Sequence, residues 1–354
     1  MRQQMQRVIF QGFPALQHAL PGSSALGLRA LATGIPSGDQ QIRADGSRGS
    51  WSSTLLGLAG LGALGAAGAA STQQAHADVA KVDVKVPSNP YARPTEGLRG
   101  VPKEITVYQY EVCPFCCKVK ALLDYHKLPY KVVEVNPLTK GELKWSTYRK
   151  VPVLSFDEGA EVVVDSSAIM SRLDAELAAS SSGRGGAGGK GWGRKGGPPA
   201  MSEAEEVAWR KWVDDRFVKV ITANIYRSWD ETWASFTYIT EQTSWAWGTR
   251  EAARLSGAVL MWQIGKRLPA KYGIEGDLRE QLYSDCNKIV DSLKGQPFLG
   301  GSAPNLADLS AFGVLRAVAS TPTFKDAMQH SRIKEWYTRM EAAVGPSACI
   351  NPKS

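Results

Sequence analysis

No second Cys-x-x-Cys and no His-x-x-x-His accompanies the run Cys113-Pro114-Phe115-Cys116, so the pattern does not complete the four ligands of a structural zinc site and no metal is expected. Cysteine is scarce, with five in 354 residues (113, 116, 117, 286 and 349), which excludes a disulfide scaffold. Three of the five crowd into one pentapeptide. That crowding points to redox or nucleophilic chemistry in a reducing compartment.

Other absences locate targeting signals. Residues 1–50 contain no lysine and no acid before Asp39 but five arginines, the composition of an organellar transit peptide. Mitochondrial and chloroplast signals share this bias, so both destinations stay open. From Trp51 to His76 no charged residue occurs, and Thr54 to Ala70 is nearly pure Leu, Gly and Ala. The length suits one span of ~20 residues. Gly and Ala supply little transfer energy, so residues 51–77 read as a membrane anchor in preference to a cleaved export segment ending at Ala75-His76-Ala77. Gly60-Leu61-Gly62-Ala63-Leu64-Gly65 satisfies the dinucleotide-binding glycine pattern by composition alone, since no strand precedes it and no acid follows at the required distance.

The formal charge of +8 does not imply a nucleic-acid partner. Its excess sits in the arginines of residues 1–77 and in Arg184, Lys190, Arg194 and Lys195 of the glycine-rich stretch 179–199, leaving almost nothing elsewhere for an electrostatic footprint on a polyanion.

Residues 78–102, with four prolines, read as an extended linker. Ile105 to Tyr110 is rich in β-branched and aromatic residues and predicts a strand, which runs into Cys113. Pro114 suits a first helical position, and Phe115, Val119, Leu122 and Leu123 share one helix face. A second strand follows over Tyr130 to Val135, then a short polar helix around Thr139 to Trp145, strands at Val151 to Leu154 and Val162 to Val164, and a helix opened by Asp165-Ser166. This β-α-β-α-β-β-α order with Cys-x-x-Cys at the first strand–helix junction predicts a thioredoxin-like domain over residues 103–178.

Residues 179–200 are Gly, Ser and basic residues without periodicity and read as a disordered insertion. Ser202 and Glu205 then form a capping box ahead of Trp209, Trp212, Val213 and Phe217. Further helices are expected near 229–242, 246–268, 277–294, 305–319 and 332–344, so residues 201–346 form an all-helical domain and 347–354 a tail. Trp209, Trp212, Trp233 and Trp262 are expected to be packing residues.

The chemistry centres on Cys113. A thiol at a helix N-terminus meets unpaired N–H groups and the helix dipole, which lower its pKa from about 8.5. Pro114 makes Cys113 the N-cap and hence the nucleophile. Cys116, one turn inside, is an accessory thiol able to resolve a mixed disulfide, while Cys117 faces another way and reads as a packing cysteine. In a thioredoxin-like fold the proline of Val151-Pro152 follows a cis bond that turns the Val151 backbone toward the nucleophile. Asp165-Ser166 couples a carboxylate to helix N-terminal donors, a combination suited to the charged ends of a γ-glutamyl group, hence to glutathione.

From Ile105 to about Ala343 the chain resembles the membrane-associated prostaglandin E synthase type 2 family. The likeness lies in Tyr108 to Cys116, Leu128 to Pro137, Ser146 to Leu154, Trp209 to Asp215, Pro297 to Gly301 and Pro304 to Leu309. It implies a thioredoxin-like domain followed by a glutathione-transferase-like helical domain, and a homodimer. It implies that Cys113 is the essential thiol with Tyr110 beside it, and that Val151, Asp165 and Ser166 bind glutathione, whose thiol can ligate haem in that family. The implied activity is glutathione-dependent isomerisation of a hydrophobic endoperoxide. Two alternatives stand beside it: a glutaredoxin-like oxidoreductase, which needs Cys116, and a non-catalytic glutathione and haem carrier.

Overall fold

The structure, a computed structural model, describes residues 81–136, 139–182, 201–237 and 247–351. The expected transit peptide, the hydrophobic segment 51–77 and residues 183–200 of the glycine-rich stretch lie outside the described residues. No helix among the described residues is long and apolar enough to cross a membrane.

Four strands form a mixed sheet in the order β2-β1-β3-β4. β1 (Ile105–Gln109) runs parallel to β2 (Lys131–Glu134) and antiparallel to β3 (Val153–Phe156), which pairs antiparallel with β4 (Glu161–Val164). Along β1 the buried residues Ile105, Val107 and Gln109 alternate with half-buried ones, as a pleated strand requires. The helix α1 (Pro114–Tyr125) connects β1 to β2, and α2 (Ser166–Ser182) follows β4. The polar helix expected near Thr139 to Trp145 is only a 3-10 turn, Gly141–Leu143, entered through Lys140 at a left-handed φ of 49° that interrupts helical propagation. α2 extends to Ser182, so the first residues of the glycine-rich stretch finish a helix.

The helical half begins with α3 (Glu203–Trp212), whose capping box joins Ser202 and Glu205. A π-helical turn, Val213–Phe217, carries it into α4 (Val218–Ile225). α5 (Trp229–Ser235), α6 (Trp247–Gly265), α7 (Leu268–Tyr272), α8 (Leu278–Asp291), α9 (Leu306–Arg316), α10 (Pro322–His330) and α11 (Ile333–Val344) follow. Periodicity predicts neither α7 nor α10; both are short helices begun by proline in the first turn, and Thr321 caps α10. The helix expected over 229–242 is described only to Ser235 plus the two residues that follow, the remainder lying outside the described residues. The tryptophans pack on aromatic neighbours: Trp212 stacks on Phe217 at 5.4 Å, Trp229 on Trp233 at 5.7 Å, and Trp262 meets Trp229 edge-on.

One core serves both halves. Val107, Val119, Leu122, Leu154 and Ile169 of the sheet half are continuous with Val213, Phe217, Leu309, Phe312 and Trp336 of the helical half. α1 and α9 cross in near backbone contact at Gly313, where a Cβ would lie 2.5 Å from the Lys118 Cα, so any larger residue would force the helices apart. Residues 81–102 are extended and anchored: the Tyr91 hydroxyl bonds Asp214, and Arg93 binds Asp174 and Glu206. Residues beyond α11 return to the sheet, where Ala348 and Ile350 hydrogen-bond Tyr130 and the Asn351 side chain bonds both backbone groups of Val132 at the open edge of β2.

Candidate functional site

β1 delivers the chain to Cys113, which adopts extended backbone angles (φ −73°, ψ 121°) and caps α1, its carbonyl accepting from the Cys117 amide at 2.9 Å. Pro114 occupies the first helical position, as its preset φ favours. Cys113 is half-exposed, whereas Cys116 is fully buried. The Cys116 thiol and the amides of Cys116 and Phe115 lie close enough to stabilise a negative charge on the Cys113 sulfur. These donors, led by the Cys116 thiol and helped by the charge of Lys120, hold the Cys113 pKa below that of a free thiol despite desolvation. Burial and the Cys113 charge push Cys116 well upward. The pair is therefore polarised: of the two thiols, Cys113 is the first to ionise.

Three phenols feel the Cys113 charge. Tyr110 follows β1 and opens the loop to Cys113, Tyr148 precedes β3 and Tyr226 terminates α4. Burial, with Cys113 as a further cause, pushes the pKa of Tyr110 and Tyr226 up to about 12. Tyr148 is likewise raised to about 12 by burial, then by Asp165 and Cys113, which places it electrostatically between the thiol and the start of α2. All three stay neutral donors at any physiological pH.

The Val151-Pro152 bond is cis. Val151 packs in the same apolar cluster as Tyr110 and Tyr148, with Val135, Leu143, Val153 and Val164 at its centre. Asp165 caps α2 through Oδ1, which accepts from the amides of Ser167 at 2.9 Å and Ala168 at 3.1 Å. It sits at φ 74°, a left-handed conformation that Asp tolerates better than most residues. Among the described residues its second carboxylate oxygen and the Ser166 amide have no hydrogen-bond partner. The Ser166 side chain itself is only 4% exposed. Cys117 is buried and bonds the Glu111 carbonyl at 3.4 Å, away from the thiol pair.

Sequence reasoning brings Cys113, Cys116 and Tyr110 together and misses Tyr148 and Tyr226. An aromatic three residues before the cis-proline bond is a local signal that could have found Tyr148. Tyr226 has none, since it reaches the thiol only through the packing of α4. Among the described residues no cluster of His, Cys, Asp and Glu is arranged to hold a metal.

A thioredoxin-type sheet with an all-helical half packed on its first helix is the architecture of the glutathione transferases. The family model for the glutathione S-transferase N-terminal domain matches residues 107–181. The chain is 40% identical over 269 residues to prostaglandin E synthase 2 of Danio rerio, covering 68% of this chain and 71% of that one. It is 39% identical over 279 residues to prostaglandin E synthase 2 of Mus musculus, covering 70% and 72%. Among solved structures, glutathione S-transferase III in its apo form aligns at 17% identity and a TM-score of 0.43, over 68% of this chain and 92% of that one. The chain belongs to the prostaglandin E synthase 2 family.

Proposed function

We propose that the protein is a glutathione-dependent isomerase of hydrophobic endoperoxides, with Cys113 as its essential thiol. The supporting observation is a thiol poised to ionise among three phenols that stay protonated. The names of the two relatives point to the same substrate class.

Converting an endoperoxide to a hydroxyketone consumes no oxidant or reductant. The Cys113 thiolate adds to one peroxide oxygen, the O–O bond breaks, and Tyr110 donates its proton to the oxygen released. The resulting phenolate removes the hydrogen from the carbon bearing the other oxygen; a carbonyl forms and the thiolate leaves, restoring both groups. Glutathione, when bound, supplies an equivalent thiol at the same place. Asp165 then holds its α-amino group, the Ser166 amide its carboxylate, and the Val151 backbone, turned by Pro152, its cysteinyl portion. A homodimer and an organellar, membrane-tethered location supplied by residues 1–77 complete this reading.

A second reading, thiol-disulfide exchange, is supported by the placement of Cys116 one turn inside the helix that Cys113 caps, where a resolving thiol would stand. The test assays endoperoxide conversion and reduction of a glutathione mixed disulfide side by side in the parent, Cys113→Ser and Cys116→Ser. Isomerisation that survives Cys116→Ser and disappears with Cys113→Ser supports the proposal. Activity only on the mixed disulfide, lost in both variants, replaces it with the oxidoreductase.

A further inference from the structure

A second cavity, of about 550 Å³, lies between the Glu111–Val112 peptide, α1 and the C-terminal end of α9. Cys117 lines it, whereas Cys113, Cys116 and the three phenols do not. Two cations face it, Lys120 and Arg316, with two carboxylates, Glu111 and Asp124.

The carboxylates do not cancel the cations. Asp124 is 1% exposed and saturated: Oδ1 accepts from the Tyr130 and Ser347 hydroxyls and the Ala348 amide, and Oδ2 accepts from Nη1 of Arg316 at 2.8 Å. It fixes Arg316, whose side chain is a quarter exposed and which, among the described residues, donates to Asp124 alone. Glu111 divides its carboxylate between Lys120, at 3.1 Å, and the Gln109 amide, at 2.6 Å. Burial disfavours the charge on Lys120 and Arg316 opposes it too, while Cys117 and Glu111 more than offset both. An anion seated between the two cations would remove their mutual repulsion.

The rest of the wall is mixed: Val112, Ala234, Ala317 and Ala319 supply an apolar strip, and Tyr130, Thr237, Ser320 and Ser347 supply hydroxyls. The volume is that of a small-molecule site. A guanidinium with a free edge offers parallel N–H groups that match a carboxylate. We propose that this cavity binds small organic carboxylates with an apolar chain, the head between Arg316 and Lys120 and the chain along Val112, Ala317 and Ala319. The assignment goes beyond the isomerase reading and needs neither Cys113 nor bound glutathione.

The test is calorimetric titration of sodium octanoate into the full chain carrying Cys113→Ser, so that failure of the isomerase reading leaves it untouched. Saturable binding with one site per chain is expected. Lys120→Met removes one cation, and Ala319→Trp fills the exposed rim without changing charge; each should weaken binding about tenfold or more. Neither change touches the buried Asp124, and a thermal melt of each variant verifies its fold. No saturable binding in the parent overturns the proposal, as does an affinity unchanged in either folded variant.

Discussion

Lys118, whose side chain is wholly buried in α1, places its ammonium 2.5 Å from the Asp214 carboxylate in the π-helical turn between α3 and α4. The same carboxylate accepts from Ser167 at the start of α2 and from Tyr91 in the arm before β1. One half-buried anion thus joins four segments. A π-helical turn is uncommon inside a helix, and here it brings Asp214 to this junction. Replacing Lys118 with Met leaves that anion without its cation, and the expected cost is ~3–5 kcal/mol of folding stability, readable from urea denaturation of the full chain.

The polarised thiols make a kinetic prediction. Because the Cys116 hydrogen bond is the leading cause of the lowered Cys113 pKa, Cys116→Ala should move the pH midpoint of Cys113 alkylation upward. Lys120→Met should move it the same way by a smaller amount, since that charge is the last of the contributing causes. The rate measured at neutral pH falls in both variants, and a midpoint that stays in place would detach Cys116 from activation.

The phenols should separate from the thiol in their effects. Tyr110→Phe removes the proposed proton donor and leaves the sulfur and its N–H partners intact. Endoperoxide turnover should fall by about 10²-fold or more while alkylation of Cys113 at neutral pH changes little. Tyr148→Phe and Tyr226→Phe should fall less, since both phenols surround the thiol without opening its loop.

Asp308 gives a pH signature to the helical half. Its buried carboxylate accepts from the amides of Leu299, Gly300 and Asn305 and from the Trp336 indole, yet desolvation dominates and raises its pKa to about 6. An unfolded Asp titrates near ~3.9, so between these values the folded chain binds more protons than the unfolded one. The contribution of this group is therefore largest below the unfolded pKa and declines as pH rises toward about 6. Asp308→Asn should abolish that slope in thermal melts taken across the window.

How much of this was legible in the chain depends on whether the cause was local. The run from Ile105 through Cys113 to Leu123 carries its own strand, cap, proline and helix face, so the fold prefix and the N-cap position of Cys113 can both be read from it. The Ser202 and Glu205 capping box, likewise four residues long, marks the start of α3 correctly. The π-helical turn escapes because Val213 to Phe217 keeps an apolar spacing that an ordinary helix also satisfies. The left-handed Asp165 escapes because nothing in an Asp-Ser-Ser run demands a positive φ. Tyr226 and Lys118 acquire their roles only when α4 and the turn beside it close on α1, a relationship between distant residues that periodicity does not encode.

The return of residues 348–351 to β2 links the ends of the fold in time as well as in space. Val132 and the Asn351 that seals it are 219 positions apart, so the edge of the sheet stays bare throughout the synthesis of everything between them. A contact that remote makes folding slow and leaves the nascent sheet half open to pairing with neighbouring chains. The sheet half is consequently not a module that matures first and waits for its helices; it is completed only when the polypeptide some two hundred residues downstream has emerged.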